Sequence, residues 1–181
     1  MDIAELDVCN LDFMKFVKTG DFEGAHAALS VLVADRSICP ASHAKWRAVI
    51  FERSGDHRAA VDVLSPVIER DDLVGKFAMH HRARIYLAAG LHDEALVDLQ
   101  VLMNDETPRV IAALRQGCQF QIAYILALRG DPSFREICDQ IPDGREYFVV
   151  NSIVTKPDIQ ELYQANQKRS TRGLDGKRTR R

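Results

Sequence analysis

Four glycines divide most of this chain into segments of similar length. They are spaced by 35, 35 and 40 residues, at Gly20, Gly55, Gly90 and Gly130. Similar residues recur around them: a small or aromatic residue seven before, an aromatic residue or Leu four before, and, for the first three, Ala five after and Leu nine after. A fixed period of this size is typical of stacked helical repeats. The spacing therefore predicts a series of similar helical hairpins.

Each glycine is expected to end one helix and to begin the turn into the next. Glycine adopts the left-handed conformation at a helix C-terminus without steric cost. Asp21, Asp56 and Asp131 follow three of the glycines and are of a type that caps the next helix. The small Ala residues let two helices approach closely. Because a single hairpin cannot bury its apolar stripe alone, the hairpins are expected to stack.

This pattern resembles the tetratricopeptide repeat (TPR) over roughly residues 5–141, with three regular repeats and one degenerate repeat. The resemblance implies an all-α fold, a right-handed α-solenoid of three to four stacked TPR-like helical hairpins with a C-terminal capping segment. The sequence departs from the family at several positions. The bulky residue that the family has eleven positions before each glycine is missing, and Arg135 replaces the packing Ala of the fourth repeat. Pro66 falls inside the second helix of the second repeat and should kink or shorten that helix.

The periodicity changes after residue 141, so we divide the chain into repeats (1–141), a capping segment (142–167) and a tail (168–181). The turn at Pro142-Asp143-Gly144 is followed by a stretch, residues 145–154, that is compatible with either a strand or a helix. A final helix is predicted to begin near Lys156, with Thr155 as its cap. Stacked repeats need a terminal element that is apolar inside, and the residues that fit this role are Ile159, Leu162 and Tyr163.

The last third of the chain is also similar, over about 35 residues, to the C-terminal part of helical-repeat proteins encoded beside bacterial polymorphic toxins. This resemblance implies an immunity protein that binds a cognate toxin. The residues that carry it are Pro142-Asp143, Tyr147-Phe148, Lys156, Asp158-Ile159 and Leu162-Tyr163.

Charge is distributed unevenly along the chain. The tail has seven basic residues and one acidic residue, a net charge of +6, so residues 1–167 carry −8 of the total of −2. A disordered, solubilising end is the favoured interpretation of such a tail, and contact with nucleic acid or an acidic partner is the alternative. The acidic start and the lack of a long apolar run predict a cytoplasmic protein without a membrane segment. The four cysteines show no metal-ligand spacing.

The residues show no pattern that supports catalysis, a cofactor or a metal. The chain has no G-x-S-x-G, H-E-x-x-H or phosphate-binding glycine-rich motif. His57 and His92 share a repeat position with Phe22 and Pro132, which indicates packing at the turn between helices. We therefore predict a protein that is not an enzyme.

In the TPR arrangement, the first helix of each repeat lines a concave surface, and that surface is the predicted site for a protein partner. The only Trp of the chain lies there, and Trp, Tyr and Arg are enriched among interface hot spots. The alternative is that Trp46 packs against a neighbouring repeat. The carboxylate clamp of some TPR proteins is absent, which disfavours a chaperone-tail adaptor. The predicted partner-binding residues are Asn10, Met14, Lys18, Lys45, Trp46, Val49, Arg53, Phe77, His80, His81, Arg84, Phe120, Gln121 and Tyr124.

Three functions remain open at this stage. The first is an immunity or antitoxin protein that neutralises a cytosolic toxin, for which an acidic body suits a basic partner such as a nuclease. The second is an adaptor or secretion chaperone that holds a peptide or amphipathic segment of a client, such as a secreted effector, in its groove. The third is a nucleic-acid-associated regulator that uses the basic tail, a role made unlikely by the lack of interleaved aromatic residues.

Overall fold

The computed structural model describes residues 11–34, 38–150 and 152–178, which are mostly helical. The chain divides into two compact units, residues 1–89 (unit 1) and 90–181 (unit 2). Unit 1 contains α1 (Leu11–Thr19), α2 (Phe22–Ala34), α3 (Pro40–Ser54), α4 (His57–Ile68) and α5 (Leu73–Ala88). Unit 2 contains α6 (His92–Met103), α7 (Pro108–Arg129), α8 (Phe134–Asp139), β1 (Glu146–Val149), β2 (Ser152–Thr155) and α9 (Lys156–Arg178). No helix within the described ranges is long and apolar enough to cross a membrane.

The four repeat glycines all lie at the ends of helices in the left-handed conformation, with φ between +66° and +84°. At the end of α3, the Gly55 N–H donates to the Glu52 carbonyl at 3.2 Å and the Asp56 N–H donates to the Phe51 carbonyl at 2.9 Å. The same pair of bonds closes α1 and α7. These bonds satisfy carbonyls that have no partner within the helix. The predicted role of the glycines is therefore confirmed.

The aspartates after the glycines cap the next helix in two of three cases. The side chains of Asp21 and Asp56 each accept a hydrogen bond from the backbone N–H three residues further on, at 2.8 and 3.0 Å. Asp131 instead accepts from the N–H and the hydroxyl of Ser133, at 2.9 and 2.7 Å. Its bonds stabilise the turn, and the short helix α8 begins without a side-chain cap.

The small and apolar positions of the repeat form the core. All ten of these side chains are exposed by 1% or less, which confirms that they are packing positions: Phe13, Ala48, Ala83 and Ala123; Ala25, Ala60 and Ala95; Leu29, Leu64 and Leu99. The residues four before each glycine are more exposed than expected, since Phe16 is 36% exposed and the others are half-buried. The space between the helices is thus filled mainly by the Ala and Leu positions.

Two repeat-equivalent arginines cover these half-buried aromatic residues. The guanidinium of Arg47 lies 5.7 Å from the ring centre of Phe51, and that of Arg82 lies 5.8 Å from Tyr86. Each pair is four residues apart on one helix, where side chains are neighbours. A guanidinium over a ring gains favourable cation–π energy. The arginines therefore shield aromatic surface that the core leaves open.

Residues 145–154, for which the sequence left strand and helix open, contribute to an antiparallel hairpin of β1 and β2, so the described chain is not all-α. The register pairs Tyr147 with Val154 and Phe148 with Ile153. One face packs inward, where Tyr147 stacks on Phe120 of α7 with ring centres 5.6 Å apart. The other face leaves Phe148 and Ile153 exposed.

The final helix α9 packs against α7 and contacts α8 through Phe134. Ile159 and Tyr163 are buried, and the Tyr163 ring stacks on Phe134 with centres 4.0 Å apart. The side-chain amides of Asn166 and Gln167 donate to carbonyls at the C-terminal end of α7, at 3.2 and 2.7 Å. A helix end needs such donors because its last carbonyls lack partners. The predicted inward residues of this segment are thus placed as expected, with Leu162 half-buried.

Three further sequence predictions have definite outcomes. Thr155 does cap α9, since Asp158 N–H donates to its hydroxyl oxygen at 3.4 Å and Thr155 N–H donates to the Asp158 carboxylate at 2.7 Å. Pro66 lies in the last turn of α4, which ends two residues later at Ile68. Helix α9 continues to Arg178, where the sequence favoured a disordered tail from residue 168 onward.

We expect Gly55→Ala to lower the free energy of unfolding of unit 1 by roughly 1–2 kcal/mol, because Ala is strained at φ +84°. A Cβ at this position would meet no atom within 4 Å, so the loss reports backbone strain and not a clash. Gly55→Asn is the control, since Asn tolerates this conformation better. Urea denaturation followed by Trp46 fluorescence measures both variants. Equal stability of wild type and Gly55→Ala would contradict the left-handed conformation of Gly55.

We expect Tyr163→Ala to destabilise unit 2 by about 3–4 kcal/mol, because it removes a buried ring that packs on Phe134. Tyr163→Phe keeps the ring and is expected to cost less than about 1 kcal/mol. Hydrogen exchange of peptides from α7 and α8 gives the measurement, because unit 2 contains no Trp. Similar exchange rates in the two variants would show that α9 does not hold this unit together.

Candidate protein-binding face

The predicted partner-binding residues separate into a group in unit 1 and a group in unit 2. Within unit 1, α1, α3 and α5 carry a set that we call the first-helix face: Met14, Lys18, Lys45, Trp46, Val49, Arg53, Phe77 and Arg84. All eight are exposed or half-buried. His80 and His81 of α5 are also among the predicted partner-binding residues, but both are buried, with exposures of 8% and 9%, so we leave them out of the first-helix face. Asn10 lies outside the described residues.

In unit 2 the structure contradicts the predicted site at two positions. Phe120 and Gln121 are both fully buried at 0% exposure. For Phe120 the reason is the hairpin, because β1 packs on α7 and the ring of Tyr147 covers Phe120. Phe120 and Gln121 are therefore core residues, and of the residues predicted on this helix only Tyr124 is half-buried.

Trp46 is both a packing residue and a surface residue. Its ring meets Phe13 of α1 edge-on, with centres 5.5 Å apart, and it packs against the core of α1, α2 and α3 together with Met14. The ammonium of Lys45 lies 4.9 Å from the Trp46 ring centre. Aromatic and cation–π contacts of this kind restrict a side chain. The partly exposed indole is therefore held in place before any partner arrives.

A hydrogen-bonded pair of side chains joins α3 to α5 beside this face. His81 Nε2 lies 3.2 Å from Glu52 Oε2, with the two side chains 10% and 18% exposed. An ionised carboxylate only accepts hydrogen bonds, so the Nε2 atom carries the proton that it donates. Burial alone would raise the pKa of Glu52, but the hydrogen bond from His81 and the positive charges of His81, Arg84 and Arg53 outweigh it and lower the pKa below its ordinary value.

Sequence reasoning did not select Glu52, although a signal was present. Glu52 lies three residues before Gly55, and the equivalent residues of the other repeats are Val17, Leu87 and Ala127. Those three side chains are all buried. A carboxylate in a position that is otherwise apolar and buried requires a partner. The comparison of repeats therefore indicates a polar contact there, although it does not identify His81.

The neighbouring His80 is neutral at physiological pH. Its burial, together with the charges of Arg84 and His81, lowers its pKa from 6.5 to about 4. Burial has this effect because an imidazolium loses hydration in the protein interior. His80 therefore adds no positive charge beside Arg84.

Charge is segregated between the two sets of helices in unit 1. Helices α1, α3 and α5 together contain eight Lys and Arg residues against two acidic residues. Helices α2 and α4 contain one basic residue and two acidic ones. Several of the basic side chains already contact other groups of the protein: Arg47 lies over the Phe51 ring, and Lys76 forms an ion pair with Asp71. Lys18, Arg53 and Arg84 form no ion pair with a carboxylate among the residues that the structure describes.

A second feature of unit 1 is an open cleft of about 560 Å³ between α3 and α4. Its walls are mainly apolar, with Arg47, Asp62 and Arg70 at the sides. Arg70 is engaged by the carboxylate of Asp72, and Arg47 lies over Phe51. No predicted site residue lines this cleft.

The described cysteines differ in environment. Burial raises the pKa of the Cys118 thiol to about 12, and burial also raises that of Cys138, so both are protonated and pack as small apolar groups. Cys39 precedes α3, and its Sγ lies 3.2 Å from the hydroxyl of Ser42. Burial alone would raise the pKa of Cys39, but hydrogen bonds from the Ser42 side chain and backbone lower it. Within the described ranges, no three His, Cys, Asp or Glu residues are close enough together to hold a metal ion.

Comparisons of the chain with protein-family models, with curated proteins and with solved structures found no match. What this face binds is therefore inferred from the geometry and charge of its own residues.

We expect the stability of unit 1 to fall as the pH is lowered from 6.5 to 4, because of His80. In this window the unfolded chain holds a proton on His80 and the folded chain does not, so acid favours unfolding. The loss is about 3 kcal/mol when converted from the pKa difference. His80→Gln cannot titrate and is expected to flatten most of this slope in urea denaturation followed by Trp46 fluorescence. An unchanged slope in His80→Gln would assign the acid sensitivity to other groups.

Proposed function

We propose that this chain is a non-enzymatic protein-binding module whose hairpins stack as a TPR-like α-solenoid. The observation that supports a binding role most directly is that Trp46 is partly exposed, yet its ring contacts both Phe13 and Lys45. A restricted indole loses little conformational entropy on binding, which is why Trp is common among interface hot spots. Arg84, also a hot-spot residue type, lies on the same face.

The more specific proposal is an immunity protein that binds and neutralises a toxin in the cytoplasm. It is supported by the sequence resemblance of the capping segment to helical-repeat proteins encoded beside polymorphic toxins. A neutralising protein needs a stable, preformed surface, because ordering a surface on binding costs affinity. The contacts between α1 and α3 and between α3 and α5 provide such a surface in unit 1.

Partner capture from the source organism tests both levels of this proposal. The tagged full-length protein is purified at moderate salt and stoichiometric partners are identified by mass spectrometry. Trp46→Ala with Arg84→Ala is expected to reduce recovery of the partner by at least about tenfold. Phe148→Ala with Arg145→Ala is the matched control, because it removes an exposed aromatic residue from the hairpin of unit 2 and an exposed arginine next to that hairpin.

The captured partner is then expressed alone and with this chain. Growth arrest by the partner that is relieved by co-expression is the result expected of an immunity protein. A partner without effect on growth would contradict immunity and favour the adaptor or secretion-chaperone role. Loss of the partner in the hairpin variant, with recovery unchanged in the Trp46 and Arg84 variant, would contradict the first-helix face.

A further inference from the structure

The first-helix face carries more positive charge than the protein itself neutralises. Lys18 and Arg53 are exposed, Arg84 is half-buried, and Lys45 is exposed beside Trp46. The carboxylate of Glu52 lies close enough to Arg84 and Arg53 to feel their charges, and it is already bonded to His81. Four cations against one carboxylate leave a net charge of about +3 on this part of unit 1. This excess occurs in a chain whose total charge is −2.

Apolar surface accompanies these charges. Trp46, Met14 and Val49 are half-buried on α1 and α3, and Phe77 is 40% exposed on α5. The indole and the charges are adjacent in the sequence at Lys45-Trp46 and lie on neighbouring helices through the contacts of Phe13 with Trp46 and of Glu52 with His81. A ligand for this face therefore needs negative charges beside an apolar group.

We propose that the first-helix face of unit 1 binds an acidic segment of a partner protein, in which carboxylates flank an apolar or aromatic anchor residue. This inference rests on the proposed protein-binding function and specifies the chemistry of the partner. The anchor contacts Trp46 and Val49, and the carboxylates pair with Lys45, Arg53 and Arg84. Arg forms the stronger pairs, because its planar guanidinium matches a carboxylate in two parallel hydrogen bonds.

A peptide segment suits this face better than a nucleic acid does. Binding of single strands relies on successive aromatic side chains on which bases stack. Besides Trp46, the half-buried apolar side chains that the face has on α1 and α3 are Met14 and Val49, which are aliphatic. Phe77 of α5 is the single further aromatic residue among the eight residues of the face, so they provide no run of stacking planes. A long polyanion would also meet the acidic remainder of the protein, whereas a short acidic segment would contact the basic face alone.

The inference differs from the partner that total charge suggests. The acidic body of residues 1–167 favours a basic protein. Net charge acts over long distances and mainly changes the rate of encounter. Contact energy depends on charges within the Debye length of about 8 Å at physiological salt. The local charge of the face therefore determines which segment is bound, and this local charge is positive.

Selection from a random library of twelve-residue peptides displayed on phage tests the inference with the full-length protein. The variant Lys18→Glu with Lys45→Glu reverses two exposed charges of the face. Its control is Arg58→Glu with Arg145→Glu, which changes the net charge equally on α4 and next to the hairpin. Enriched peptides are then synthesised, and their affinity is measured from Trp46 fluorescence at low and high salt.

We expect the wild type and the control to enrich acidic peptides that contain an apolar residue. The Lys18 and Lys45 variant should bind them about tenfold more weakly, and high salt should also weaken binding. Enrichment of neutral or basic peptides, or no enrichment at all, would overturn the inference. So would equal affinity in the two charge-reversal variants, or displacement of the acidic peptide by a lower concentration of oligothymidylate.

Failure of this inference can be told apart from failure of the proposed function. If the captured partner contacts the first-helix face through a basic segment, the acidic-segment inference is wrong and the binding function stands. If acidic peptides bind the face but the captured partner does not arrest growth, the immunity role is wrong and the inference stands.

Discussion

A helical hairpin buries its apolar stripe only if the chain reverses within a few residues, and glycine in the left-handed conformation makes these reversals. The two hydrogen bonds that follow Gly55 close α3 and hold Asp56 where it caps α4. This turn fixes the rotation of each helix relative to the next. The offsets to the packing residues are therefore constant: Ala48 and its equivalents are buried in all four repeats, and Ala60 and its equivalents are buried in the first three.

The candidate binding face is a consequence of this arrangement. Once the turn assigns one stripe of α1, α3 and α5 to the core, the opposite side chains of these helices remain at the surface. Glu52 is the exception, since it occupies a core position and is accommodated only because His81 on the next first helix donates to it. That contact joins α3 to α5, just as the contact of Phe13 with Trp46 joins α1 to α3.

The two units use different means to cover the ends of their helices. In unit 1, repeated turns and aspartate caps do most of the work. In unit 2, α7 is longer than the repeat requires and is covered by elements from the end of the chain, namely Tyr147 of the hairpin and the amides of Asn166 and Gln167. These elements therefore cover part of α7 that the repeat alone leaves open, including the ring of Phe120.

The hairpins, their glycine turns, most of the caps and the ten core positions follow from the sequence, because each depends on residues at most about one helix apart in the chain. The same local pattern predicted the inward residues Ile159 and Tyr163. The burial of Phe120, the pairing of Glu52 with His81 and the strands after residue 145 depend on tertiary structure. Each joins residues from different elements, and the period of a single helix carries no information about which neighbour will cover which face.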